Sequence, residues 1–244
     1  MTTAPPADQR RLLDIQELDT RLAQLAHQRR THPTLETLAE LHDRAGDLDR
    51  ARTQAAVTLG DARKELLKAE TDVEQVRTRA DRGKERLNSG QGSPKELQNL
   101  TAELEALARR QNVLEEAQLE QMEAVEQAES DIAAIEMQLE ALNTQIEEVT
   151  AERDEAFAQI DGETETVSAS RGRLTEGIPE ELLSLYEEVR ERTGGLAAVA
   201  LRGENTVGVQ VPLSLTEKAA IKSAPPEQVI QSEDYDYLLI RVDD

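Results

Sequence analysis

Apolar residues recur along most of this chain in alternating steps of four and three, the spacing that lays a seam down one side of an α-helix. From Leu41 to Leu87 the seam runs through Leu41, Ala45, Leu48, Ala62, Leu66, Val73 and Ala80. Twelve of its fourteen positions are Ala, Val or Leu, with Arg52 and Gly83 the exceptions. From Leu97 to Ile160 fifteen of nineteen seam positions are apolar, and the departures are Gln111, Gln118, Gln121 and Arg153. The glutamine stretch is expected to be the loosest part of that segment, the alternative being that Leu119 and Met122 take over the seam through a local slip of phase. Between the two segments lies one strong turn signal, Asn88–Pro94. Gly90 and Gly92 accept positive φ there, and Ser93 suits an N-cap, with Pro94 at the first helical position and Glu96 at the capping-box position. The pattern therefore predicts a mainly α fold, a long antiparallel coiled-coil hairpin over residues 1–176 with its tip near 88–94. Folding about Gln91 sets residue n opposite roughly residue 182 − n, so that Val73 falls near Arg109 and Ile15 near Val167, along a rod of order 120 Å at 1.5 Å per residue.

Two departures bound the hairpin. Pro33 removes an amide donor and disfavours helix at His32, so the first arm breaks near residues 31–34. The segment before the break, with Leu12, Ile15, Leu18, Leu22 and Leu25, reads as a separate amphipathic helix expected to pack near residues 149–174. After Gly177 the pattern changes. Pro179 opens a short helix with Leu182, Leu183, Tyr186 and Val189 on one face, and Gly194-Gly195 stops it. Val207, Val209, Val211, Leu213 and Leu215 then alternate as in a strand, and so do Leu238, Ile240 and Val242. Thr216–Ser223 fits a short helix between them. Residues 177–244 are thus expected to form a small α/β module.

Composition agrees with a rod more than with a thick globular core. Of 244 residues 38% are apolar but only 2% are aromatic, and 32% are charged. There is no cysteine, so thiol chemistry and disulfides are excluded. No run approaches the ~20 apolar residues of a membrane span, and the amino-terminal stretch lacks the apolar core of an export signal, which together lead us to expect a cytoplasmic protein with no membrane association. The net charge of −22 is unevenly placed. Residues 1–93 hold 16 basic and 16 acidic side chains, residues 94–176 hold 6 and 21, and residues 177–244 hold 6 and 13. A chain this acidic repels nucleic acid overall, so any such contact has to be local.

The tip is the one stretch that runs against this charge. Over residues 76–95, Arg77, Arg79, Arg82, Lys84, Arg86 and Lys95 face only Asp81 and Glu85. Local ion pairing, for instance Asp81 with Arg77, and pairing to the acidic second arm account for such a pattern. The functional reading is a contact surface for an acidic protein patch or for RNA phosphate, with Ser93 and Pro94 at its apex. No aromatic is interleaved for base stacking. Elsewhere the chemistry is thin. No glycine-rich phosphate loop, His-Glu-x-x-His or nucleophile elbow occurs. His27 and His32 lie five apart on different helix faces, and adjacent acids such as Glu147-Glu148 point apart. We therefore expect no enzyme and no cofactor.

The run Ser93-Pro94-Lys95-Glu96-Leu97-Gln98, the segment Gly177-Ile178-Pro179 with Leu182, Leu183, Tyr186 and Arg190, then Gly194-Gly195-Leu196-Ala197 and Leu238-Leu239, resemble a bacterial family of coiled-coil proteins with a carboxy-terminal four-cysteine zinc ribbon. The resemblance spans nearly the whole chain and implies a helical hairpin carrying a ribbon. Where that family has Cys-x-x-Cys twice, this chain has Thr206, Val209, Ser232 and Tyr235 at the ligand positions. None of these replaces a thiolate at tetrahedral zinc. The expectation is a ribbon-like module without metal, closed by the alternating valines, the Leu238/Ile240/Val242 face and Tyr235 or Tyr237. Members of the family are linked to RNA binding and to control of an alternative sigma factor. Two functions follow as expectations: an interaction scaffold or adaptor that offers its tip and its module to protein partners as a monomer or homodimer, and, alternatively, a nucleic-acid-binding regulator, which the module's acidity disfavours. A transcript-cleavage role would need acids at the tip to hold Mg²⁺, and residues 88–93 contain none.

Overall fold

In the computed structural model, residues 2–242 are described, and they form five helices and four strands, of which the first and third strands were not expected. Helix α1 is Pro6–Arg30, α2 is Pro33–Asn88, α3 is Pro94–Thr175 and α4 is Glu180–Arg192; strands β1 Ala198–Arg202 and β2 Asn205–Val207 precede α5 Leu215–Ser223, and β3 Ile230–Gln231 and β4 Leu238–Arg241 close the chain. The contacts divide these residues into two compact units. One holds the described residues up to Leu35 and from Ala151 onward, and the other is Glu36–Thr150.

The second unit is a two-helix coiled coil. Every expected seam position of α2 from Leu41 to Leu87 is buried or half-buried except Arg52, and so is every expected one of α3. The phase holds straight through Gln111, Gln118 and Gln121. The alternative slip does not occur, and Leu119 and Met122 are exposed, at 58% and 40%. Three half-buried amides cost less than re-phasing an 82-residue helix whose flanking seam is already satisfied. Pairing is shifted from the n to 182 − n estimate. Arg79 meets Glu103, but Arg63 meets Glu129 and Arg77 meets Glu115, pairs whose numbers sum to 192. In each antiparallel helix the side chains lean toward their own amino terminus, which moves contacting pairs to higher sums than the Cα levels do.

In the first unit the sheet has the order β2-β1-β4-β3, with β1 parallel to β4 and both outer strands antiparallel. One face, Ala198, Leu238 and Ile240, packs on Leu12 and Ile15 of α1 and on Leu182, Tyr186 and Val189 of α4. The opposite face, Val199, Leu201 and Leu239, packs on Val211 and on Ile221 of α5. With both faces covered, β1 and β4 are buried almost without alternation. The long alternating strand expected over Val207–Leu215 does not form. Strand β2 ends at Val207, Gly208 takes φ +82°, and Pro212 has no amide to donate. Of the valines proposed as core, Val211 is buried, but Val207 and Val209 are 40% and 41% exposed. Tyr237 packs against the second cluster, while Tyr235 stacks on it at 6.0 Å and is itself exposed.

Candidate functional site

The tip is built by its own sequence. Helix α2 ends as the Ser89 hydroxyl donates to the Arg86 carbonyl at 2.8 Å, and the chain turns through Gly90 at φ +66° and Gly92 at φ +140°. A capping box restarts it. The Ser93 amide donates to a Glu96 carboxylate oxygen at 2.7 Å, and the Glu96 amide donates to Ser93 Oγ at 3.4 Å. The Ser93 amide, reinforced by the Ser93 hydroxyl, holds the Glu96 carboxyl below the usual glutamate range. Of the six basic side chains, three are tied. Arg77 reaches Glu115 and Arg79 reaches Glu103, each at 2.5 Å across the hairpin. Lys84 pairs with Asp81 at 3.1 Å, so Asp81 is taken by Lys84 and not by Arg77. Among the described residues Arg82, Arg86 and Lys95 form no ion pair, and Arg86 feels the Glu96 carboxylate at longer range. The tip's free positive charge is therefore carried by three side chains, not six.

A second polar cluster lies where α1 meets α3 and α4. The Asp19 side chain is 2% exposed and accepts from Arg171 Nε at 2.6 Å, from a terminal Arg171 nitrogen at 3.1 Å and from the Tyr186 hydroxyl at 2.8 Å, with Arg190 at 3.3 Å. Glu187 pairs with both Arg171 and Arg190. The Asp19 hydrogen bonds raise the Arg171 guanidinium further above its ordinary value, and burial followed by Asp19 raises the Tyr186 phenol. Around this cluster α1 is stitched to backbone. Gln16 Oε1 accepts from the Ala197 and Ala198 amides, Gln9 donates to the carbonyls of Ala4, Pro226 and Glu227, and Arg11 donates to those of Leu174 and Glu176. Sequence reasoning picked out Tyr186 and Arg190 but missed Asp19 and Arg171, which are 152 residues apart and share no local pattern. Among the described residues no buried side-chain nitrogen or oxygen lacks a partner, so the cluster reads as a fastening of α1.

The four positions where the resemblance expects thiolates do not offer metal ligands. Thr206 Oγ1 accepts from the Val211 amide at 3.0 Å, the Ser232 hydroxyl donates to Glu217, Val209 has no donor atom and Tyr235 is stacked on Tyr237. Among the described residues no group of three or more His, Cys, Asp or Glu side chains is placed to hold a metal ion, and no helix is long and apolar enough to cross a membrane.

Comparison with known proteins fits this architecture. Protein Rv2229c of Mycobacterium tuberculosis is 32% identical over 241 residues, which cover 97% of this chain and 96% of that protein. A structure from Mycobacterium smegmatis superposes with a TM-score of 0.85 at 28% identity, covering 98% of this chain and all of the other. CT398 of Chlamydia trachomatis shares the fold with a TM-score of 0.70 at 16% identity over 97% of this chain and 98% of its own. The model of the CT398-like coiled coil hairpin domain matches residues 15–194, most of the chain, and the protein belongs to that family.

Proposed function

We propose that this protein is a non-enzymatic scaffold or adaptor of the cytoplasm, a helical hairpin that offers a basic tip and a metal-free, zinc-ribbon-like module to protein partners. The observation that carries this reading is internal saturation. Among the described residues every buried side-chain nitrogen and oxygen has a partner within the fold, so the chemistry left over for function lies on the outer surface. On that surface the tip stands apart by charge, through Arg82, Arg86 and Lys95 beside the tied Arg77, Arg79 and Lys84, on an apex shaped by Ser93 and Pro94. The acidity of the module, with 13 acidic against 6 basic residues over 177–244, speaks for protein contacts there over nucleic acid.

The test is cross-linked capture from extract of the source cells, with and without nuclease, using the wild type and the triple reversal Arg82→Glu, Lys84→Glu, Arg86→Glu. A protein partner that survives nuclease and is lost with the reversal supports the adaptor. Partners that vanish with nuclease while RNA is recovered identify a nucleic-acid-binding regulator instead. A partner set that the reversal leaves unchanged removes the tip from the proposal.

A further inference from the structure

Glu217 is 6% exposed, a depth at which a carboxylate has to be fully hydrogen-bonded. It is. One oxygen accepts from the Ser214 amide at 2.8 Å as half of the capping box that starts α5, the other half being the Glu217 amide on Ser214 Oγ at 3.1 Å. The other oxygen does something a capping residue does not ordinarily do: it accepts from the Ser232 hydroxyl at 3.1 Å and from the Glu233 amide at 3.0 Å. Ser232 is itself 2% exposed and closes the turn into β4, with its amide on the Tyr237 carbonyl at 2.8 Å and its carbonyl accepting from Asp236 at 3.1 Å. The other turn of the module needs no such link. Thr206 Oγ1 bonds the amide of Val211 and joins the ends of that loop directly.

We infer that Glu217 is the fastening group of the module: its single buried carboxylate binds the 232–237 turn to the start of α5, in place of a metal knot at Thr206, Val209, Ser232 and Tyr235, and makes the fold independent of divalent cations. The donors around the carboxylate explain why the group is an acid. The Ser214 amide lies on one oxygen and two donors lie on the other. A glutamine of the same shape, in either amide orientation, sets its NH₂ against a donor. The same donors, Ser214 first and then the Glu233 amide, overcome desolvation and hold the Glu217 carboxyl below the usual glutamate range. None of this depends on which partner the module meets.

The experiment is hydrogen exchange read by mass spectrometry on the full chain, comparing wild type, Glu217→Gln and Ser232→Ala, each with zinc sulfate and with a chelator. For Glu217→Gln, exchange over 232–237 is expected to rise about tenfold or more, as is exchange over 214–217, with the α2 and α3 peptides of residues 60–130 unchanged. A role limited to capping α5 would move only 214–217, so an unaltered 232–237 turn overturns the inference. Ser232→Ala removes one donor without disturbing the cap and is expected to speed exchange over 232–237 alone; if that turn stays as in the wild type in both variants, Glu217 fastens nothing. Zinc and chelator are expected to change no wild-type peptide, and slowing of 206–211 together with 232–237 by zinc would equally overturn it.

Discussion

Replacing Asp19 by asparagine removes one charge from the most enclosed ion cluster in the protein while keeping its shape. In the wild type the carboxylate accepts from Arg171 through two nitrogens, from Arg190 and from the Tyr186 hydroxyl. An asparagine has one oxygen to offer, and its NH₂ then faces donors. Removing one partner of a buried ion pair costs about 3–5 kcal/mol. Here Arg171 and Arg190 are 21% and 39% exposed and both keep Glu187, so solvent and the remaining carboxylate roughly halve that, to about 2 kcal/mol. The Tyr186 hydroxyl, on a fully buried residue, adds about 1 kcal/mol when it loses its acceptor. At about 3 °C per kcal/mol the melting temperature should fall by roughly 10 °C. The assay is unusually direct. The chain has no tryptophan and three tyrosines, Tyr186, Tyr235 and Tyr237, all in the unit that contains Asp19, so intrinsic fluorescence follows that unit alone. Tyr186→Phe should cost about 1 kcal/mol in the wild type and clearly less on top of Asp19→Asn, because the two share one hydrogen bond. A drop under about 3 °C for Asp19→Asn, or strict additivity with Tyr186→Phe, would show that the cluster is solvated and that its geometry does not carry the packing of α1.

Other outcomes follow from single contacts. Burial, reinforced by Asp19, lifts the Tyr186 phenol above the ordinary tyrosine range, so its contribution is complete below about pH 10 and lost as the pH rises through the folded-state value; Tyr186→Phe should flatten the alkaline limb of a stability–pH curve. Gly60→Ala places a methyl in open space within α2 and should stabilise the hairpin by about 1 kcal/mol in denaturant melts followed by helical circular dichroism. Gly83→Ala should give less of that gain, because the new Cβ would sit 2.9 Å from Leu104 Cδ2 and push that side chain aside. Ser93→Ala removes the side-chain half of the capping box and should cost about 1 kcal/mol locally, seen as faster exchange over 89–97 with the rest of α2 unaffected.

The hairpin was legible because a heptad seam is a local pattern repeated often enough to survive its exceptions, and Gln111, Gln118 and Gln121 keep phase because their neighbours do. The fastening of α1 was not legible. Its expected position near residues 149–174 followed from chain geometry, but the Asp19–Arg171 and Gln16–Ala197 contacts join residues that no window of sequence sees together. In the module, periodicity itself misled. Strict alternation marks a strand with one wet face, and Val207–Leu215 shows it. This sheet, however, is covered on both sides, so its inner strands are the ones that fail to alternate: Leu238-Leu239-Ile240, and an alanine-rich β1 of low intrinsic strand preference. Ala198 faces α1, where a larger side chain would hold the helix off the sheet, while Val199 and Leu201 fill the α5 side. What makes β1 hard to recognise as a strand is thus what lets α1 lie close enough for Gln16 to reach the Ala197 and Ala198 amides at 2.6 and 3.1 Å.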